Sequence, residues 1–78
     1  ETVAYIQYRL REVGAHAEHI FEFPALERIH VLTQGIPRRI NRLCDLALLV
    51  GYGEELKSIN ASHIESIHQE LIGATAAA

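Results

Sequence analysis

The stretch Gly35-Ile36-Pro37-Arg38-Arg39-Ile40-Asn41-Arg42 decides how this chain is read. Glycine is favoured just past the end of one helix and proline at the first position of the next, so Gly35 and Pro37 mark a tight helix-to-helix turn. From Pro37 to about Tyr52 apolar residues recur at helical spacing. Ile40, Leu43, Ala47 and Val50 form one face, Cys44 and Leu48 widen it, and Leu46 and Leu49 add more. A helix apolar around most of its girth is expected at the centre of its domain. Arg38 and Arg39 fall in its first turn, where unpaired backbone N–H groups and the positive dipole end disfavour cations by roughly 0.3–1 kcal/mol each. Two readings follow. The arginines await an anion, for which a helix N-terminus and guanidinium groups are both suited. Alternatively Arg38, Arg42 and Asp45, spaced four and three apart, form a solvated ion-pair ladder worth a few tenths of a kcal/mol. Helix physics alone does not choose between them.

Working back toward the N-terminus, Leu26, Ile29 and Leu32 form the inner face of a helix that starts at Pro24 and stops at Gly35. Residues 14–22 have no steady period and read as a loop or short irregular turn. Val3, Ile6, Leu10 and Val13 recur at steps of three, four and three. They give a first helix with Thr2 placed to cap it and Gly14 placed to end it. Toward the C-terminus, Gly51 and Gly53 are expected to break the long helix, and Ser58 and Ile59 to be extended. Asn60 is placed to cap a last helix carried by Ile64, Ile67 and Leu71, with Ile59 and Ile64 at the positions of a hydrophobic staple. No alternating run asks for a sheet. The expected fold is all-α, a compact four-helix bundle over residues 1–72, with Gly73 to Ala78 a disordered tail.

Composition bounds the function. Seventy-eight residues permit one small domain, and 49% hydrophobic content supplies its core. The net charge of −3 argues against broad nucleic-acid binding, though not against a local basic patch. The one cysteine, Cys44, excludes an internal disulfide and a multi-cysteine zinc site; it lies on an apolar helix and reads as a buried structural thiol. His16, His19, His30, His63 and His68 make no His-Glu-x-x-His pattern, so no metal is expected. His16 and His19 share the expected loop, and His30 reads as a boundary residue. Tyr5 and Tyr8 are expected at the edges of the first helix, and Glu54-Glu55 as a solvated helix end. The longest apolar run, Leu46 to Val50, is far short of the ~20 residues of a membrane span. A start at Glu1 without Met suggests a fragment.

The order Gly35-Ile36-Pro37-Arg38, then Ile40-Asn41-Arg42-Leu43 and a long apolar helix, resembles the sensor-2 region of AAA+ ATPases, including the lid of the Holliday-junction branch-migration motor. The chain is most similar to lids of the general secretion pathway protein A family, with its relatives in exosortase and pilus systems. There Glu1-Thr2-Val3-Ala4-Tyr5-Ile6 precedes Arg9-Leu10, and Arg42-Leu43-Cys44-Asp45-Leu46-Ala47-Leu48-Leu49 follows the turn. The resemblance covers about residues 1–72 and implies an AAA+ lid subdomain. It implies that Arg38 reaches the γ-phosphate of ATP as a sensor-2 residue. Ile36 and Pro37 would pack near the adenine, and Arg39, ~100° around the helix, is the weaker nucleotide candidate, with solvent, a neighbouring subunit or an acidic side chain as its alternative surroundings.

The resemblance also implies partners. These are the P-loop core domain of the same parent, which would hold ATP and magnesium, neighbouring subunits of a homo-oligomer, and a secretion or assembly component. It implies a cytoplasmic location, at the inner membrane through other parts of the parent. This chain has no Gly-x-x-x-x-Gly-Lys-Ser/Thr loop and no apolar strand ending in acidic residues, so it is expected to be no enzyme on its own. The alternative is a small helical DNA- or protein-binding module whose recognition helix begins at Pro37. A groove-inserted helix needs a polar reading face, which counts against it.

Overall fold

The computed structural model describes the backbone of residues 2–77 and the side chains of residues 2–73 other than His16. Five α-helices follow one another: α1 (Thr2–Val13), α2 (Ala15–Ile20), α3 (Phe23–Thr33), α4 (Pro37–Gly53) and α5 (Ala61–Ala77). The all-α expectation holds, but the count is five rather than four. The extra helix, α2, lies where the sequence shows no period. It spans six residues, and its buried stripe among the described side chains is Ala17 and Ile20, three apart and 1% and 2% exposed. Two points cannot reveal a period of 3.6. A helix so short is not stable alone, so its apolar pair and the contact of Arg11 with Glu18 at 3.1 Å hold it on the body. Gly14, at φ 152° and ψ 164°, separates α1 from α2 in a conformation open only to glycine.

The core gathers Ile6 and Leu10 of α1, Ile20 of α2, Ala25 and Ile29 of α3, Ile40, Leu43 and Ala47 of α4, and Ile64 of α5. Each such branched side chain contributes about 1.5–3 kcal/mol by leaving water. Helix α3 packs against α1, α4 and α5 and is the hub of the bundle. The sequence points to α4 instead, because it counts all of that helix's apolar residues as core. Leu49 is 69% exposed, on the face away from Ile40 and Ala47. A polar seam joins α3 to α5, where Arg28 meets Glu65 at 2.6 Å. That hydrogen bond holds the Glu65 carboxyl below its usual range, against the desolvation that would raise it. The contact therefore favours the fold above the carboxylate range and is lost as pH falls through it.

Two glycines behave differently from expectation. Gly51 does not break α4 but lies buried inside its last turn, where a Cβ would stand 3.0 Å from Ile59 Cδ1. Glycine is there for close approach. The helix ends two residues later, with Glu55 at φ 56° and the Leu56 N–H donating to the Gly51 carbonyl at 2.9 Å. Ser58 and Ile59 are extended, as expected. Ile59 bridges to Phe21, its N–H donating to the Ile20 carbonyl at 2.7 Å and its carbonyl accepting from Glu22 at 2.9 Å. Helix α5 continues through Gly73 to Ala77, across the stretch expected to be a disordered tail. Alanine is the strongest helix former and one glycine costs only about 1 kcal/mol. Ala78 and the side chains of 74–77 lie outside the described residues, as does the side chain of His16.

Candidate functional site

The turn between α3 and α4 is built from two consecutive residues with positive φ, Gln34 at 56° and Gly35 at 75°. The Ile36 N–H donates back to the Thr33 carbonyl at 3.1 Å, and α4 then opens with Ile36 as N-cap and Pro37 behind it. Only glycine suits position 35. Besides its φ, a Cβ there would come within 3.2 Å of Thr2 Oγ1 and 3.7 Å of the His30 ring. Thr2 and His30 are themselves joined, Oγ1 to Nδ1, at 2.6 Å. The first residue of α1 and the last turn of α3 thus clasp the turn that launches α4. His30 is more than a boundary residue, and Thr2 is engaged across the bundle.

Ile36 is half-buried, and Pro37, Arg38 and Arg39 are exposed. The first turn of α4 contains no acidic residue, and Ile36 supplies no side-chain cap. Among the described residues the ion pairs of the arginines are Arg9 with Asp45 at 3.8 Å, Arg11 with Glu18 and Arg28 with Glu65. Arg38, Arg39 and Arg42 take part in none of them. The ladder of Arg38, Arg42 and Asp45 is not formed; Asp45 pairs instead with Arg9, on the flank of α4 nearest α1. Tyr5 donates to Asn41 Oδ1 on that same flank at 3.0 Å. The Arg9–Asp45 pair is long and exposed and contributes at most a few tenths of a kcal/mol.

Arg38 and Arg39 do not act as a unit. Arg39 lies with Arg42 along a groove of about 550 Å³ between the end of α3, α4 and the later part of α5, and Arg38 is not part of its lining. His68 is on the opposite wall. Nothing in the sequence reading anticipated this groove, since its two walls are more than twenty residues apart along the chain.

The remaining chemistry-bearing groups have local explanations. Cys44 is buried, and burial, then the neighbouring Asp45, push its thiol up to about 12 despite the opposing pull of Arg9. It is a packed, unreactive thiol. His63 accepts from the Asn60 N–H at Nδ1 (3.1 Å), while its own N–H donates to Asn60 Oδ1 (2.9 Å). This is a reciprocal cap with histidine in the position more often held by Glu or Gln. The spacing Asn60-x-x-His63 is the sequence signal that could have revealed it. Among the described residues no three His, Cys, Asp or Glu side chains converge to hold a metal ion. Nor is any helix among them long and apolar enough to cross a membrane.

With this geometry in place, comparison with known proteins adds one finding. The chain is similar to General secretion pathway protein A of Aeromonas hydrophila. Identity is 36% over 70 residues, which cover 90% of this chain and only 13% of that protein. The chain thus spans about an eighth of the relative's length. No known family profile matches the chain, and no solved structure matches it.

Proposed function

We propose that this chain is the helical lid of an AAA+ ATPase related to general secretion pathway protein A, and that Arg38 is its nucleotide sensor. One observation carries the reading. Arg38 stands exposed at the second position of α4, without a carboxylate partner among the described residues, just after a turn clasped by Thr2 and His30. An exposed guanidinium at a positive helix end is matched to a phosphate brought to it by another domain. Ile36 and Pro37 at the same end supply apolar surface for the adenine. The P-loop core domain, outside this chain, would hold ATP and its magnesium. Arg38 would stabilise charge on the γ-phosphate during transfer, and the lid would move with nucleotide state. The parent's role would lie in secretion or envelope assembly, as the name of its relative suggests. The DNA-reading alternative gains no support, since the acidic Asp45 and the apolar Leu49 share the exposed face of α4 with Arg38 and Arg42.

The test is ATP hydrolysis by a longer protein carrying this lid with its core domain. Arg38→Ala is expected to cut turnover tenfold or more, about 1.4 kcal/mol of barrier, while Arg39→Ala keeps most of it. Wild-type turnover in Arg38→Ala removes the sensor assignment.

A further inference from the structure

The groove beside the helix turn combines two features that require different things from an occupant. Its floor is apolar, with Leu32, Leu43 and the 53% exposed Ile72. Its α4 wall carries Arg39 and Arg42, both exposed and in none of the ion pairs among the described residues. Residues three apart on a helix are neighbours, so the two guanidinium groups present a two-pronged cation about one turn long. His68 stands across from them, and Glu65, one turn before His68 on α5, is already engaged by Arg28.

The placement runs against the charge of the chain. The molecule as a whole carries −3, and Arg9, Arg11 and Arg28 each have a carboxylate. The basic wall is therefore a local excess that the acids among the described residues leave unanswered. A simple anion would satisfy the arginines and leave the floor wet. An apolar segment would cover the floor and leave the arginines beside a desolvated surface. A peptide with carboxylates one helical turn apart and apolar residues between them meets both demands, in the manner of a helix laid in a groove.

We infer that the groove lined by Arg39, Arg42, His68, Leu32, Leu43 and Ile72 docks an acidic, amphipathic segment of a protein partner. Its carboxylates pair with Arg39 and Arg42 and its apolar side chains cover Ile72 and the floor. The inference does not depend on nucleotide sensing by Arg38, which lies outside the groove. It assigns to Arg39 a partner other than nucleotide.

Selection of a displayed random 16-residue peptide library on the 78-residue chain tests this directly. Enriched peptides are expected to carry an excess of Asp and Glu spaced three or four apart among apolar residues. The best of them, made synthetically and fluorescently labelled, should bind more weakly as salt is raised. It should lose at least tenfold in affinity for the Arg39→Glu/Arg42→Glu variant, whose helical circular dichroism checks that it folds. Replacing the peptide's acids by lysine should restore binding to that variant, a reversal that general damage to the fold cannot produce. Failure to enrich any peptide, enrichment without acidic bias, or equal binding by the variant would each overturn the proposal. So would sedimentation showing a dimer of this chain that the double substitution dissolves, because the occupant would then be a second copy.

Discussion

Helices α4 and α5 begin in opposite ways. The start of α5 is closed by its own side chains. Asn60 and His63 exchange hydrogen bonds at 2.9 and 3.1 Å, and Ile59 and Ile64 on either side of the cap are both fully buried. The start of α4 has Ile36 without a side-chain cap, Pro37 without an N–H, and two exposed arginines where the helix dipole disfavours them. Lack of a cap is not the distinguishing feature by itself. Helix α3 also begins without one, with Pro24 near its first position. There the N-cap residue is the acidic Glu22, whose carboxylate accepts from Ser58 at 2.7 Å. What sets α4 apart is the addition of cations that no acid among the described residues pairs. The start of α5 serves stability, whereas the start of α4 carries cations that no carboxylate among the described residues answers.

Four substitutions would break or sharpen that contrast. The largest effect is expected from Ile64→Ala, which empties a fully buried site just inside α5. Its cost in denaturant unfolding should be about 2–5 kcal/mol. Ile36→Ala, at the half-buried start of α4, should cost well under half as much, and equal losses would erase the distinction. Next is Asn60→Ala, which removes the cap and should destabilise by about 1 kcal/mol. That corresponds to a fall in Tm of about 4–8 °C for a domain of this size; an unchanged Tm would mean that the reciprocal cap does not form in solution. The smallest effect has the opposite sign. Arg38→Ala should stabilise the isolated chain by about 0.3–1 kcal/mol at low ionic strength, and the gain should shrink as salt is added. A loss of stability would show that Arg38 has a partner within the chain after all.

The α3–α4 turn and the cap of α5 were legible because their causes lie within a few residues. Gly35 before Pro37 and Asn60 before Ile64 are local instructions, and the structure follows them. Helix α2 was not legible, because Ala17 and Ile20 are too few to show a period and become helical against the core. From sequence Gly51 reads as a breaker, because its neighbour in space, Ile59, is eight residues away in a different segment. Within the candidate site, the exposure of Pro37, Arg38 and Arg39 follows from helix phase. The separation of Arg38 from Arg39 into different surroundings follows from phase as well, but what those surroundings are does not.

Taken alone, the sequence determined the helical class, the turn at Gly35-Ile36-Pro37, the cap at Asn60 and the presence of cations at the head of α4. All of these depend on backbone geometry and side-chain spacing over one or two turns. Only the tertiary structure decided which charges are answered. Asp45 goes to Arg9, Glu65 to Arg28 and Thr2 to His30, across separations of 36, 37 and 28 residues. The assembly of α3, α4 and α5 then leaves Arg39 and Arg42 facing an open groove. Short-range periodicity sets which face of a helix is polar, whereas the packing of several helices sets what that face meets.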